Sequence, residues 1–138
     1  MKGISRGKAF RSGGRKADQG ERWEAQLRKG CLEMAILASL RRGRLYGLEI
    51  LRVLEARSSL GLAEGTLYLI LSRLRNEELV ESEWVDAGTG HPRKYYWLTP
   101  AGRGRRKDMA RFWTRFSADI DALLRPPTGP QEDSRADR

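Results

Sequence analysis

The sequence contains one cysteine, Cys31, and one histidine, His91, among its 138 residues. A single cysteine excludes an internal disulfide, and a cysteine-based zinc site would lack its other ligands. Cys31 therefore reads as a small buried hydrophobe. Long apolar runs are also missing: the longest, from Cys31 to Leu40, is interrupted by Glu33 and Ser39, far short of the roughly 20 apolar residues that a membrane span needs. The basic N-terminus leads into glycine, serine and charge instead of the apolar stretch of a secretory signal, so the chain is expected in the cytoplasm and not in a membrane. Catalytic groupings are absent too. His91 has no serine or cysteine nucleophile and no acid grouped around it in sequence, as hydrolytic chemistry would require. Gly88-Thr89-Gly90 and the segment from Gly61 to Gly65 lack the Lys-Ser/Thr ending of a phosphate loop and read as turns. Glu77, Glu78, Glu81 and Glu83 have no second cluster to complete a metal site. No catalytic residue, metal or cofactor is expected.

What the chain has in excess is positive charge. It carries 27 Lys and Arg against 18 Asp and Glu, a formal charge of +9, with a pI near 10.3. Such a balance favours an anionic partner, nucleic acid first and an anionic membrane surface second. The length suits one domain. Residues 1–20 hold Lys2, Arg6, Lys8, Arg11, Arg15 and Lys16 among glycines, with little apolar surface to offset ordering, and are expected to form a basic disordered tail. Residues 125–138, with Pro126, Pro127 and Pro130, read as a second disordered tail. Between them, residues 21–99 and 100–124 are expected to form a compact unit and a terminal helix. No internal repeat is visible.

Hydrophobic spacing supplies the elements. Trp23, Leu27, Cys31, Met34 and Leu37 fall on one helical stripe and Leu32, Ile36 and Leu40 on a second, so the first helix is expected to be covered on two sides. A second helix from about Tyr46 to Ala56 follows the break at Arg41 to Arg44. A third, from about Ala63 to Glu78, buries Leu67, Leu71 and Leu74 and points Thr66, Leu69, Ser72, Arg73 and Asn76 elsewhere. The stretches Leu79 to Val85 and Arg93 to Leu98 flank a glycine-containing tip and read as a hairpin. Thr99 is a good N-cap and Pro100 suits the first helical position of a last helix. Along that helix Met109, Trp113, Phe116, Ile120 and Leu123 repeat as a heptad seam does and require a partner helix.

The resulting order, α-α-α-β-β-α, is mainly helical: a winged helix-turn-helix with a C-terminal dimerisation helix. A helix fits the major groove of duplex DNA, and the third helix is placed to present Thr66, Tyr68, Leu69, Ser72 and Arg73 to base edges and phosphates. Leu69, odd on a solvent face, suits a thymine methyl. His91, Arg93 and Lys94 on the hairpin can reach phosphates or a minor groove. The surplus apolar surface on the first and last helices, including Leu27, Cys31, Met34, Met109, Trp113, Phe116, Ile120 and Leu123, fits a two-fold dimer. On a palindromic operator, that axis would set two third helices about 34–36 Å apart.

Six segments in register carry a family resemblance: Leu32-Glu33, Tyr46-Gly47-Leu48-Glu49-Ile50, Glu64-Gly65-Thr66-Leu67-Tyr68, Leu79-Val80-Glu81-Ser82, Pro92-Arg93-Lys94-Tyr95-Tyr96 and Leu98-Thr99-Pro100-Ala101-Gly102. In order and spacing they resemble the PadR family, over about Leu27 to Leu124, and the chain is similar to its smaller subtype with one helix after the wing. The resemblance implies a winged-helix DNA-binding domain, a C-terminal dimerisation helix and repression at promoters with short inverted repeats. It also implies a platform for a small flat aromatic effector between the dimer halves, at Trp113 and Phe116, although the same rings equally suit plain dimer core; Trp97 on the last strand stays open in the same way. Two departures stand out: Leu69 occupies a position where the family often has proline, and the long basic N-terminal segment is not a regular family feature. A protein-binding winged helix and a sequence-indifferent nucleoid protein are the rival readings.

Overall fold

The computed structural model describes residues 2–127 apart from 87 and 89, with side chains from residue 18 onward. Its elements are α1 (Lys2–Ser39), β1 (Leu45–Tyr46), α2 (Gly47–Arg57), α3 (Glu64–Asn76), β2 (Val80–Val85), β3 (Arg93–Leu98) and α4 (Pro100–Leu124). The expected helices and hairpin are all present. One strand was not foreseen. β1 is only two residues long, too short for any periodic signal, and exists through its antiparallel pairing of Leu45 with Tyr96 and Tyr46 with Tyr95. It makes the sheet three-stranded in the order β1-β3-β2.

The core gathers Leu32, Ile36, Leu37 and Leu40 of α1, Ile50, Leu51 and Leu54 of α2, and Leu67, Ile70, Leu71 and Leu74 of α3. Leu79, Val80, Tyr96 and Leu98 close it from the wing. No charged or polar residue is buried among the described residues, so the unit is held by apolar burial, about 25 cal/mol for each Å² removed from water. Ile70 joins the face expected of Leu67, Leu71 and Leu74, which widens the buried stripe of α3. Leu37 belongs to this core and not with Trp23 and Leu27, which stay exposed at 63% and 49%.

Two junctions position everything that follows. At the end of α3, Glu78 takes a left-handed conformation (φ 61°). Its N–H donates to the Arg75 carbonyl at 2.9 Å and that of Leu79 to the Leu74 carbonyl at 2.9 Å. This is the Schellman pattern, with glutamate where glycine is usual. At the start of α4, the Thr99 hydroxyl donates to the Glu78 carbonyl at 2.7 Å and accepts from the Gly102 N–H at 2.9 Å. The Thr99 N–H donates to the Leu79 carbonyl at 3.1 Å. A β-carbon at Gly102 would lie 2.9 Å from the Leu79 carbonyl carbon and closer still to its oxygen. Thr99-Pro100-Ala101-Gly102 is therefore a joint that fastens α4 directly to the end of α3.

α1 begins at Lys2, running through the 1–20 segment read as a disordered tail. Once a helix is nucleated, each added residue contributes its own hydrogen bond at small cost, even without apolar contacts. Of the expected C-terminal tail, residues 128–138 lie outside the described residues.

Candidate nucleic-acid interface

The outward side of α3 follows from its buried side. With Leu67, Ile70, Leu71 and Leu74 inward, the 100° step leaves Gly65, Leu69, Ser72 and Asn76 farthest out. Leu69 is 74% exposed, opposite the buried stripe. One edge of the outward face carries Thr66 and Arg73 and the other Tyr68 and Arg75.

These edges differ in chemistry. Arg73 points toward α1, where its guanidinium pairs with Glu33 at 3.6 Å and, along its own helix, with Glu77 at 3.9 Å. Glu33 also meets Arg105 of α4 at 3.6 Å. The sequence reading aimed Arg73 at DNA; the structure ties it to a carboxylate that joins α1, α3 and α4. The Tyr68–Arg75 edge instead opens on a cleft of about 390 Å³ between α3, the start of α2 and the wing. Arg75, Arg93 and Lys94 line this cleft with Tyr46, Tyr68, Tyr96 and Trp84, and no carboxylate lines it.

Each of these side chains is held by its element. Gly47 opens α2 so close to Tyr68 that a β-carbon there would lie 2.9 Å from Cε1 and Cζ of the ring. The Glu49 carboxylate accepts from the Tyr46 N–H at 3.1 Å and fixes the start of α2. Tyr46 packs edge-on to its β3 partner Tyr95, with ring centroids 5.5 Å apart, and Arg93 lies over the Tyr46 ring at 4.6 Å. Lys94 stands opposite Trp84 in the hairpin register, 5.7 Å from that ring and 5.8 Å from Tyr96. Such stacking holds a cation without neutralising it. Burial, then the Glu64 carboxylate, raises the Tyr68 pKa. Tyr96 is raised first by burial and then by Tyr68, against a lowering by Arg75. Both phenols thus stay protonated as donors at neutral pH.

Trp97, left open by the sequence, lies beneath the Arg44 guanidinium at 3.9 Å, while Arg44 also pairs with Glu83 at 3.1 Å. It fastens β1 to the hairpin. Exposed His91 stands at the wing tip next to Pro92. The sequence reading missed Arg75 and Trp84. Arg75 falls seven residues after Tyr68, on the same helical stripe, and Trp84 is 65% exposed in register with Lys94; those two spacings were the available signals.

A second feature is apolar. Leu27, Cys31 and Met34 of α1 face Met109, Phe112, Trp113 and Phe116 of α4 across a groove of about 550 Å³. Phe112 and Phe116 stack at 5.2 Å and Trp113 lies 6.3 Å from Phe116. Met109 is partly buried against the core, whereas Trp113, Phe116, Ile120 and Leu123 remain exposed in the single chain. Among the described residues no metal-ligating cluster occurs, and no helix is long and apolar enough to cross a membrane.

A helix-turn-helix packed on one core with a basic β-hairpin, and with α3 exposed beside that hairpin, is a winged helix. Residues 36–108 match the family model described as the transcriptional regulator PadR-like family. An uncharacterized protein of Lysinibacillus sphaericus is 30% identical over 98 residues, 70% of this chain and 90% of the relative. A PadR family regulator from Eggerthella lenta aligns with a TM-score of 0.71 at 29% identity, covering 80% of this chain and 96% of that one. A PadR-like regulator from Bacillus cereus aligns at 0.67 and 29% identity, covering 74% and 99%. PadR of Bacillus subtilis, solved in complex with operator DNA, aligns at 0.52 and 25% identity over 72% of this chain and 50% of that one. The chain belongs to the PadR-like family: it is a DNA-binding transcriptional regulator and not an enzyme.

Proposed function

We propose that this regulator binds an inverted-repeat operator as a homodimer and represses from it. The observation that carries this reading is the α3–wing surface, where exposed Leu69 and Ser72 adjoin a cleft lined by three cations and no carboxylate. α3 enters the major groove. Thr66, Leu69 and Ser72 meet base edges, Tyr68 borders them, and Arg75, Arg93 and Lys94, with His91 at the wing tip, take phosphates. Arg73 acts indirectly, by holding α3 against α1 through Glu33.

Residues 21–99 form the DNA-binding unit and residues 100–124 the dimerisation helix. The open α1–α4 groove supports that division, because two copies related by a two-fold axis cover Leu27, Cys31, Met34, Met109, Trp113, Phe116, Ile120 and Leu123 together. A flat aromatic effector stacked on Trp113 and Phe116 releases the operator, provided that it binds the DNA-free arrangement more tightly than the bound one.

The test is a fluorescence-anisotropy titration against the duplex upstream of the gene and a scrambled duplex, at two salt concentrations. The expected result is a preference of roughly a thousandfold or more, with affinity falling steeply in salt. Equal affinity for both duplexes would point to sequence-indifferent binding. Absent binding would favour a protein partner and overturn the proposal.

A further inference from the structure

On the other side of the sheet, the C-terminal ends of α1 and α2 and the early part of α4 enclose a third groove, of about 640 Å³. β1 separates the two sites: Leu45 lines this groove and Tyr46 the wing cleft, as successive residues of a strand must. The floor is apolar, with Ala35, Val53, Leu54 and Leu60, and four arginines, Arg41, Arg42, Arg57 and Arg106, surround it. No carboxylate lines it.

Placement at helix C-termini explains part of this cluster. Arg57 closes α2, and Arg41 and Arg42 follow the end of α1, where the helix dipole favours cations. Arg106 has no such reason to be there. It lies within the first two turns of α4, toward the end of the helix that disfavours positive charge. It is also half-buried, and its Nε has no hydrogen-bond partner. Among the described residues, carboxylates go to Arg28, Arg44, Arg73, Arg105 and Arg111 and to none of these four. Four like charges around one low-dielectric wall repel one another and focus a positive potential into the groove. A buried donor left unmet adds a cost that an anionic acceptor removes.

We infer that this groove is a binding site for a small oxyanion, phosphate or carboxylate, carried on an apolar body. Arginine forks match the planar oxygens of such a head in pairs, the apolar floor takes the body, and the volume falls in the usual range for ligand pockets, about 300–1,000 Å³. The ligand bridges Arg57 of α2 to Arg106 of α4, and so links the helix-turn-helix to the dimerisation helix, beside a pocket that shares Ala35, Ala38 and Leu60 and runs on to Trp113. The binding does not depend on the operator reading.

Calorimetric titration of the full chain with hexyl phosphate at fixed low ionic strength tests it, with inorganic phosphate and hexanol as comparison probes. The expected result is one hexyl phosphate per protomer, bound at least about tenfold tighter than inorganic phosphate, with Arg57→Gln and Arg106→Gln each weakening it about tenfold or more. Arg52→Gln, on α2 but outside the groove, leaves it unchanged. Unsaturable binding, or equal affinity in all variants, overturns the proposal. If Arg57→Gln and Arg106→Gln leave hexyl phosphate binding intact but lower DNA affinity and its salt dependence, the arginines track DNA backbone phosphate and the proposal fails. It fails equally if hexyl phosphate does not bind and the same variants dissociate the protein in sedimentation, since the groove then holds the acidic Asp119–Asp121 end of a second copy's α4.

Discussion

Gly102 and Gly104 lie two residues apart on α4, yet alanine should act on them with opposite sign. At Gly102 the new β-carbon would overlap the Leu79 carbonyl, a backbone obstacle that cannot rotate aside. The start of α4 must retreat, stretching three bonds: Thr99 hydroxyl to Glu78 carbonyl, Gly102 N–H to Thr99 hydroxyl, and Thr99 N–H to Leu79 carbonyl. At about 1 kcal/mol each, less roughly 1 kcal/mol gained from alanine's better helix propensity, the net destabilisation is about 2 kcal/mol. At Gly104 nothing lies within 4 Å of the new β-carbon, so only the propensity gain of about 1 kcal/mol remains. The two single-methyl variants should thus differ by about 3 kcal/mol. Urea unfolding followed by circular dichroism, at one fixed protomer concentration because oligomerisation shifts the midpoint, measures both. The reasoning fails if Gly102→Ala is as stable as the parent, or if Gly104→Ala is equally damaging.

Three further outcomes are expected. Glu78→Gly, which relieves the left-handed residue at the end of α3, should stabilise the fold by about 0.5–1 kcal/mol, read from the same unfolding curves. Arg75→Ala should weaken DNA binding evenly across sequences and reduce the salt slope by about one unit, whereas Arg73→Ala should leave that slope unchanged; the reverse pattern in anisotropy titrations would mean that the two edges of α3 were assigned the wrong way round. Leu69→Ser should lower the operator-to-random affinity ratio about tenfold while leaving random-duplex affinity within about twofold, if the leucine meets a thymine methyl.

The core helices and the hairpin were legible because their residues repeat at the period of their element. Thr99-Pro100 likewise announced the start of α4 through local cap chemistry. β1 was not legible, since Leu45 and Tyr46 become a strand only through Tyr95 and Tyr96, more than a third of the chain away. The ion-pair partner of Arg73 was not legible for a related reason. Helical spacing placed Arg73 off the buried stripe, but the Glu33 carboxylate that captures it comes from another helix. The extent of α1 toward Lys2 had no periodic signal, because the segment has little apolar content to repeat. The arginine groove, assembled from three separated segments, left no mark in any one of them.

The joint at Thr99 and Gly102 makes α4 a lever whose short end is the reading head. Because the first turn of α4 is bonded to the residues that end α3, the two helices have little slack between them. Phe116 lies 14 positions beyond Gly102, about 21 Å along the axis at 1.5 Å per residue. A displacement of only ~2 Å there corresponds to a tilt of about 5° over that 21 Å arm. With the Thr99 and Gly102 bonds kept closed, such a tilt of α4 would turn the end of α3 with it.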